Sequence, residues 1–191
     1  MANARFGPAR FRDLGPVNWL LWRYLSRRFG CADVHVFSTL GRTGRLFRGW
    51  LHYSLCLMPF GRLPRYEAEL VILRIAHLRA SAYEMAQHSR IGAAVGVTPS
   101  VLDRVRAGPD AEGWPERIRA LLTATDELAR TRDLSDQTWE RLARWYDQRL
   151  LIEIVLLVNQ YEGMAATLAA LRVPLDLFDR PRRVGEYPAT R

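Results

Sequence analysis

The residues with the most chemistry in this 191-residue chain are crowded into one stretch, HLRASAYEMAQH, from His77 to His88. His77, Ser81, Glu84 and His88 follow one another at intervals of four, three and four, so one continuous helix would set them along a single face. Two imidazoles and a carboxylate make a metal site with open positions one chemistry for His77, Glu84 and His88. Ser81-Ala-Tyr-Glu84 also has the S-x-x-E form of a capping box, in which the serine bonds the N3 amide and the glutamate reaches back. On that reading a new helix starts at Ser81, His77 turns away, and nothing catalytic is required.

A break at Ser81 gives Glu69 a meaning. Glu69 lies within YEAELVILRIAHL, where an unpaired carboxylate is costly. Along a straight helix it would stand about 28 Å from His88, at 1.5 Å per residue. If the chain reverses near Arg79 to Ser81, the two positions are about equally far from the turn and come level. A carboxylate meeting an imidazole between packed helices can perform general acid–base catalysis.

The elements that must position these groups read as helices. Pro16 opens PVNWLLWRYLSRRF and Gly30 closes it; Gly44 to Met58 carries an apolar stripe through Phe47, Trp50, Leu51, Leu55 and Met58. A long pattern runs from Pro64 to Gly96. Thr98, Pro115, Ser135 and Asp147 then open four more helices, the last ending before Pro174. No period-2 run is long enough for a strand, so the fold class is all-α. The last helix, LLIEIVLLVNQYEGMAATLAAL, is apolar on nearly every side and rich in small residues. It is either central or covered by a second subunit, and a homo-oligomer (dimer, trimer or hexamer) is expected.

The formal charge is +8, and all 28 basic residues are scattered arginines, so no nucleic-acid partner is expected. Cys31 and Cys56 are too few and too far apart for a CxxC or zinc pattern; both read as buried free thiols in a reducing cytoplasm. The N-terminus lacks an apolar signal-peptide core, and the run Leu150 to Val158 is too short to span a membrane, so a soluble cytoplasmic protein is expected.

The array Glu69, eleven residues, Ser81-Ala-Tyr-Glu84, three residues, His88 resembles the signature of the carboxymuconolactone decarboxylase and alkylhydroperoxidase D superfamily. Its redox branch carries E-x11-C-x-x-C-x3-H. RLFRGWLHY, GRLPRYEAELVILRIAHL, ARTRDLSDQTW and YDQRLLIEIVLLV extend the likeness. The resemblance implies an alkylhydroperoxidase D-like helical bundle over residues 35–175. It leaves 1–34 as an arm with one helix and 176–191 as an Arg/Pro-rich tail. The arm, with Trp19, Trp22 and Tyr24, can lid its own pocket, pack on a neighbour or lie on a membrane surface.

Ser81 and Glu84 stand where the redox branch has its two cysteines. Without a thiolate there, thiol–disulfide exchange and peroxide reduction by that route are not expected. The resemblance implies a proton relay at Glu69 and His88. The non-redox branch is similar to lyases that decarboxylate a small unsaturated lactone acid without a metal or organic cofactor. Such chemistry needs an acid, His88 or Glu84, and a cation, for which Arg74, Arg79 and Arg90 are candidates. Ser81, Tyr83, Gln160, Tyr161 and His77 are the candidate substrate contacts, the two tyrosines serving equally well as core aromatics. Many non-redox relatives have a histidine before the tyrosine in the final helix; this chain has Gln160-Tyr161. The expectation is a cofactor-independent decarboxylase, isomerase or cyclase acting on a small organic acid or specialised metabolite. The competing class is a non-catalytic oligomeric module that keeps the fold, ahead of a metal-dependent enzyme or a peroxidase.

Overall fold

The computed structural model describes residues 4–178. Among the described residues the chain forms nine α-helices: α1 Phe11–Phe29, α2 His35–Leu40, α3 Arg45–Leu57, α4 Arg65–Leu78, α5 Ala82–Ala93, α6 Pro99–Ala107, α7 Glu116–Thr131, α8 Asp136–Ala143 and α9 Gln148–Leu171. A 3-10 turn, Gly41–Thr43, links α2 to α3. The fold is all-α. Thr98, Ser135 and Asp147 cap their helices as expected, accepting the amides of Val101, Thr138 and Leu150. Pro16 does not begin α1: the helix starts at Phe11, breaks at Gly15 (φ 70°), and resumes at the proline. α2 is only six residues long, too short for a periodic signal.

Helix α4 is the axis of the bundle, buried continuously from Glu67 to Ala76. Val71, Ile72 and Ile75 pack on Leu121 and Ala124 of α7 and on Ile154 and Leu157 of α9. Leu70 and Leu73 pack on Val101, Val105 and Leu122 of α6 and α7. Each such aliphatic side chain contributes roughly 1.5–3 kcal/mol by leaving water. The charged groups on α4 are matched. Arg74 forms a bidentate pair with Asp126, at 2.6 and 2.7 Å, and donates to the Val105 and Arg106 carbonyls. It is therefore a buried strut between helices, neither an anion receptor nor a solvated residue. Glu67 accepts from Arg117 and from the Tyr146 hydroxyl.

Helix α9 is less central than its composition implies. Leu151, Ile154, Leu157 and Val158 are buried, whereas Ile152 is 60% and Leu156 41% exposed. The apolar run from Leu150 to Val158 also belongs to a helix of 24 residues, which is long and apolar enough to cross a membrane by length and composition. The shortness of the run is therefore no argument against a span, although the buried stripe of α9 is part of the bundle's core. Cys56 is exposed on α3, contrary to expectation, because its apolar sequence neighbours lie around the helix from it. Cys31 is buried, its thiol against the carbonyls of Asp33 and Leu177. A third cluster gathers α1, α2, α3, α5 and the end of α9 around Phe37, Phe47, Leu51 and Leu168. The candidate site lies there.

Candidate active site

The chain doubles back between α4 and α5. Ala80 adopts φ 49°, its amide donates to the His77 carbonyl at 3.1 Å, and the Ser81 amide donates to Ala76 at 2.8 Å. This pair of bonds is a Schellman closure, with an alanine where glycine is usual. Further on, a Cβ at Gly92 would stand 3.1 Å from Val97 and 3.6 Å from the Glu69 side chain. A glycine one turn past His88 thus leaves room for Val97 to fold back on α5, with Glu69 of α4 at ordinary contact distance.

The reversal brings His88 Nδ1 within 2.8 Å of Glu69 Oε2. Glu69 is fully buried, and its other oxygen faces Arg65 at 3.5 Å. A carboxylate accepts the Nδ1 proton, so in the neutral tautomer Nε2 is the nitrogen left without one. The Tyr161 ring meets the imidazole edge-on, with centroids 5.1 Å apart.

The capping box does not form. Ser81 occupies the N-cap position, but its side chain makes no capping bond, and its amide already belongs to the closure of α4. Glu84 has no amide to reach back to. Its carboxyl is buried, and neither oxygen has a partner in good hydrogen-bonding geometry, although the Ser81 hydroxyl is close enough to favour its ionised form. Burial pushes its pKa up to about 7, against the opposing pull of the neighbouring Ser81 hydroxyl and of His88. Near neutral pH the protonated and ionised forms therefore coexist.

Glu84 and His88 line one cavity of about 460 Å³, together with Tyr83, Gln87, Gln160 and Tyr161. Gln160 donates to the Ser54 hydroxyl at 3.1 Å. Glu69 stands behind His88 rather than on the wall. His77 and Ser81 do not line the cavity; His77 is exposed at the end of α4, so it does not converge with Glu84 and His88 as a metal site needs. Arg79 pairs with Glu162 at 2.7 Å, and Arg90 donates to the Phe29 carbonyl and covers the Phe178 ring. Neither reaches the cavity. The arm walls the chain's own pocket, through Tyr24, Leu25, Arg28 and Phe29.

Sequence reasoning missed Asp176, which it assigned to the tail. The Asp176 side chain is fully buried beside α5. It accepts from His35 Nδ1 at 2.7 Å, the His35 amide at 2.8 Å, the Tyr83 hydroxyl at 2.7 Å, and Gln87 Nε2. Its hydrogen bond raises the His35 pKa, against burial; burial first, and Asp176 second, push the Tyr83 phenol up and keep it a donor. The rest of the tail, 179–191, lies outside the described residues.

Residues 45–127 match the carboxymuconolactone decarboxylase family. Residues 45–127 thus carry that family's sequence pattern, and the chain has an alkylhydroperoxidase D-like fold. Solved structures of similar fold extend the likeness over nearly the whole chain. An alkylhydroperoxidase core protein of Ralstonia eutropha, peroxidase-related and uncharacterized, superposes with a TM-score of 0.79 at 16% identity, covering 92% of this chain and 93% of its own. A peroxidase-related protein of Silicibacter gives 0.76 at 12% identity, covering 91% and 94%. A cysteine-to-alanine variant of the debrominase Bmp8, in complex with 2,3,4-tribromopyrrole, gives 0.73 at 16% identity with coverage of 91% and 94%. The superfamily fold therefore hosts enzymes. No curated protein matches this chain.

Proposed function

We propose that the cavity is the active site of a cofactor-independent acid–base enzyme, an isomerase, cyclase or decarboxylase. The observation that carries this reading is the Glu69–His88 pair at 2.8 Å with the unpartnered carboxyl of Glu84 one turn away in the same wall. His88 Nε2 takes a proton from the carbon beside a carbonyl, and the C–H electron pair moves into the enol. Glu69 holds the imidazole and matches the charge it gains. The carbonyl oxygen receives its hydrogen bond or proton from Glu84. Return of the His88 proton to a different carbon completes an isomerisation; attack of the enol carbon on an internal electrophile completes a cyclisation. If carbon dioxide leaves instead of a proton, the carbon it vacates takes the proton of the Glu84 carboxyl, which solvent then replaces.

A packing role alone does not call for Glu84. A buried carboxyl without a partner destabilises the fold, and a module kept for assembly gains nothing from it. Cys31 and Cys56 both lie outside the cavity lining, so a thiol–disulfide mechanism has no nucleophile there.

The test is solvent-deuterium incorporation, followed by NMR, into two enolisable probes: the acid 2-oxobutanoate and the neutral ketone 2-tetralone. The wild-type protein is expected to accelerate exchange into at least one of them, and His88→Asn to abolish that acceleration without unfolding. No acceleration with either probe overturns the reading.

A further inference from the structure

The cavity's polar atoms and its walls together define what it can hold. Glu84 and Gln87 are three residues apart on α5 and so neighbours on its surface. Asp176 fixes the Gln87 amide: a carboxylate has only acceptors to offer, so it takes the NH2 end and leaves Oε1 over. That oxygen is buried and has no donor, and both oxygens of the adjacent Glu84 carboxyl are in the same condition. Both residues line the cavity, so a ligand group that donates to one and accepts from the other would satisfy them. A hydroxyl, or a carbonyl exchanging with its enol, does both.

Elsewhere the walls are mainly hydrocarbon and aromatic, with Phe29, Phe37, Trp50, Leu51, Ile91 and Leu168 among them, and Ser54 and Gln160 are bonded to each other. The volume of about 460 Å³ falls within the range of sites that enclose drug-sized molecules. Cationic help for a substrate carboxylate is poor. Arg65 is already set against the buried Glu69 and Met58 Sδ, and Arg28 stands at the exposed rim. A carboxylate placed beside Glu84 would set two acidic groups together within mainly apolar walls.

We infer that the cavity takes a neutral, ring-containing hydrocarbon skeleton bearing one hydroxyl or enolisable carbonyl, read by Gln87 Oε1 and the Glu84 carboxyl, rather than a small organic acid. Asp176 is the positioning residue that presents Gln87 as an acceptor. This rests on the acid–base reading of the same site and narrows it to isomerisation or cyclisation of a carbonyl compound.

Equilibrium dialysis of the full chain against naphthalene, 2-naphthol and 2-naphthoate separates the alternatives, because the three share a skeleton and differ in one group. At neutral pH 2-naphthol is expected to bind about tenfold more tightly than either of the others, the equivalent of one well-placed hydrogen bond. Gln87→Leu should remove that preference and spare naphthalene. Met164→Trp, which puts bulk into the cavity from α9, should weaken all three. Equal binding of naphthalene and 2-naphthol, tightest binding of 2-naphthoate, or no binding at all overturns the inference. Deuterium exchange into 2-oxobutanoate but not 2-tetralone would overturn it too while leaving the acid–base reading standing, so the two fail separately.

Discussion

At the scale of residues, Glu84 is the group through which the proposed chemistry and the stability of the fold are coupled. Its pKa rises from 4.5 to about 7 on folding, chiefly through burial. Between those values the folded chain keeps a proton that the unfolded chain releases, so stability falls as pH rises through the window, by about 3 kcal/mol in all. Glu84→Gln removes that dependence. Urea denaturation between pH 4.5 and 8 should show the variant gaining on the wild type as pH rises; parallel curves would show that Glu84 is not buried and unpartnered. Glu69 and His88 are legible in the sequence itself, since a carboxylate in an apolar helix needs a partner and a reversal at Ser81 supplies one. Glu84 is legible there as a residue but not in its state. The S-x-x-E spacing points to a cap, and only the closure of α4 onto the Ser81 amide shows that the carboxyl is left for the cavity.

At the scale of elements, the site depends on two connections. The first is the turn at Ala80, where an L-residue sits at φ 49°. Ala80→Gly relieves that conformation and is expected to stabilise the fold by roughly 0.5–1 kcal/mol, read from the denaturation midpoint; a loss of stability would show that the turn is not strained. The second is the strap after α9, whose Asp176 ties α2 to α5. Asp176→Asn turns one acceptor oxygen into a donor facing donors and should destabilise by about 3 kcal/mol, with the Tyr83 side-chain resonances losing their single environment. Unchanged stability would remove the strap from the account. Proline starts and polar caps make most helices readable. α2 and the strap are not, because VPLDLF has no period and its role comes from contacts with residues 89 to 141 positions away.

At the scale of the whole molecule, apolar side chains remain outside the core on two helices: Val17 and Leu20 on α1, and Ile152 and Leu156 on α9. We propose that another copy of the chain covers such a face. Light scattering should then give a multiple of 22.0 kDa, and Ile152→Glu with Leu156→Glu should reduce the assembly without unfolding the bundle; a monomeric wild type would contradict this. The central claim is that a protonated carboxyl and a basic imidazole face one substrate across the cavity. The pH dependence of deuterium exchange into whichever probe the protein turns over tests it most directly. The account predicts that the wild-type rate falls as pH rises through about 7, where Glu84 loses its proton, and that Glu84→Gln is slower and lacks that fall. Superimposable profiles and rates for the two proteins would contradict it.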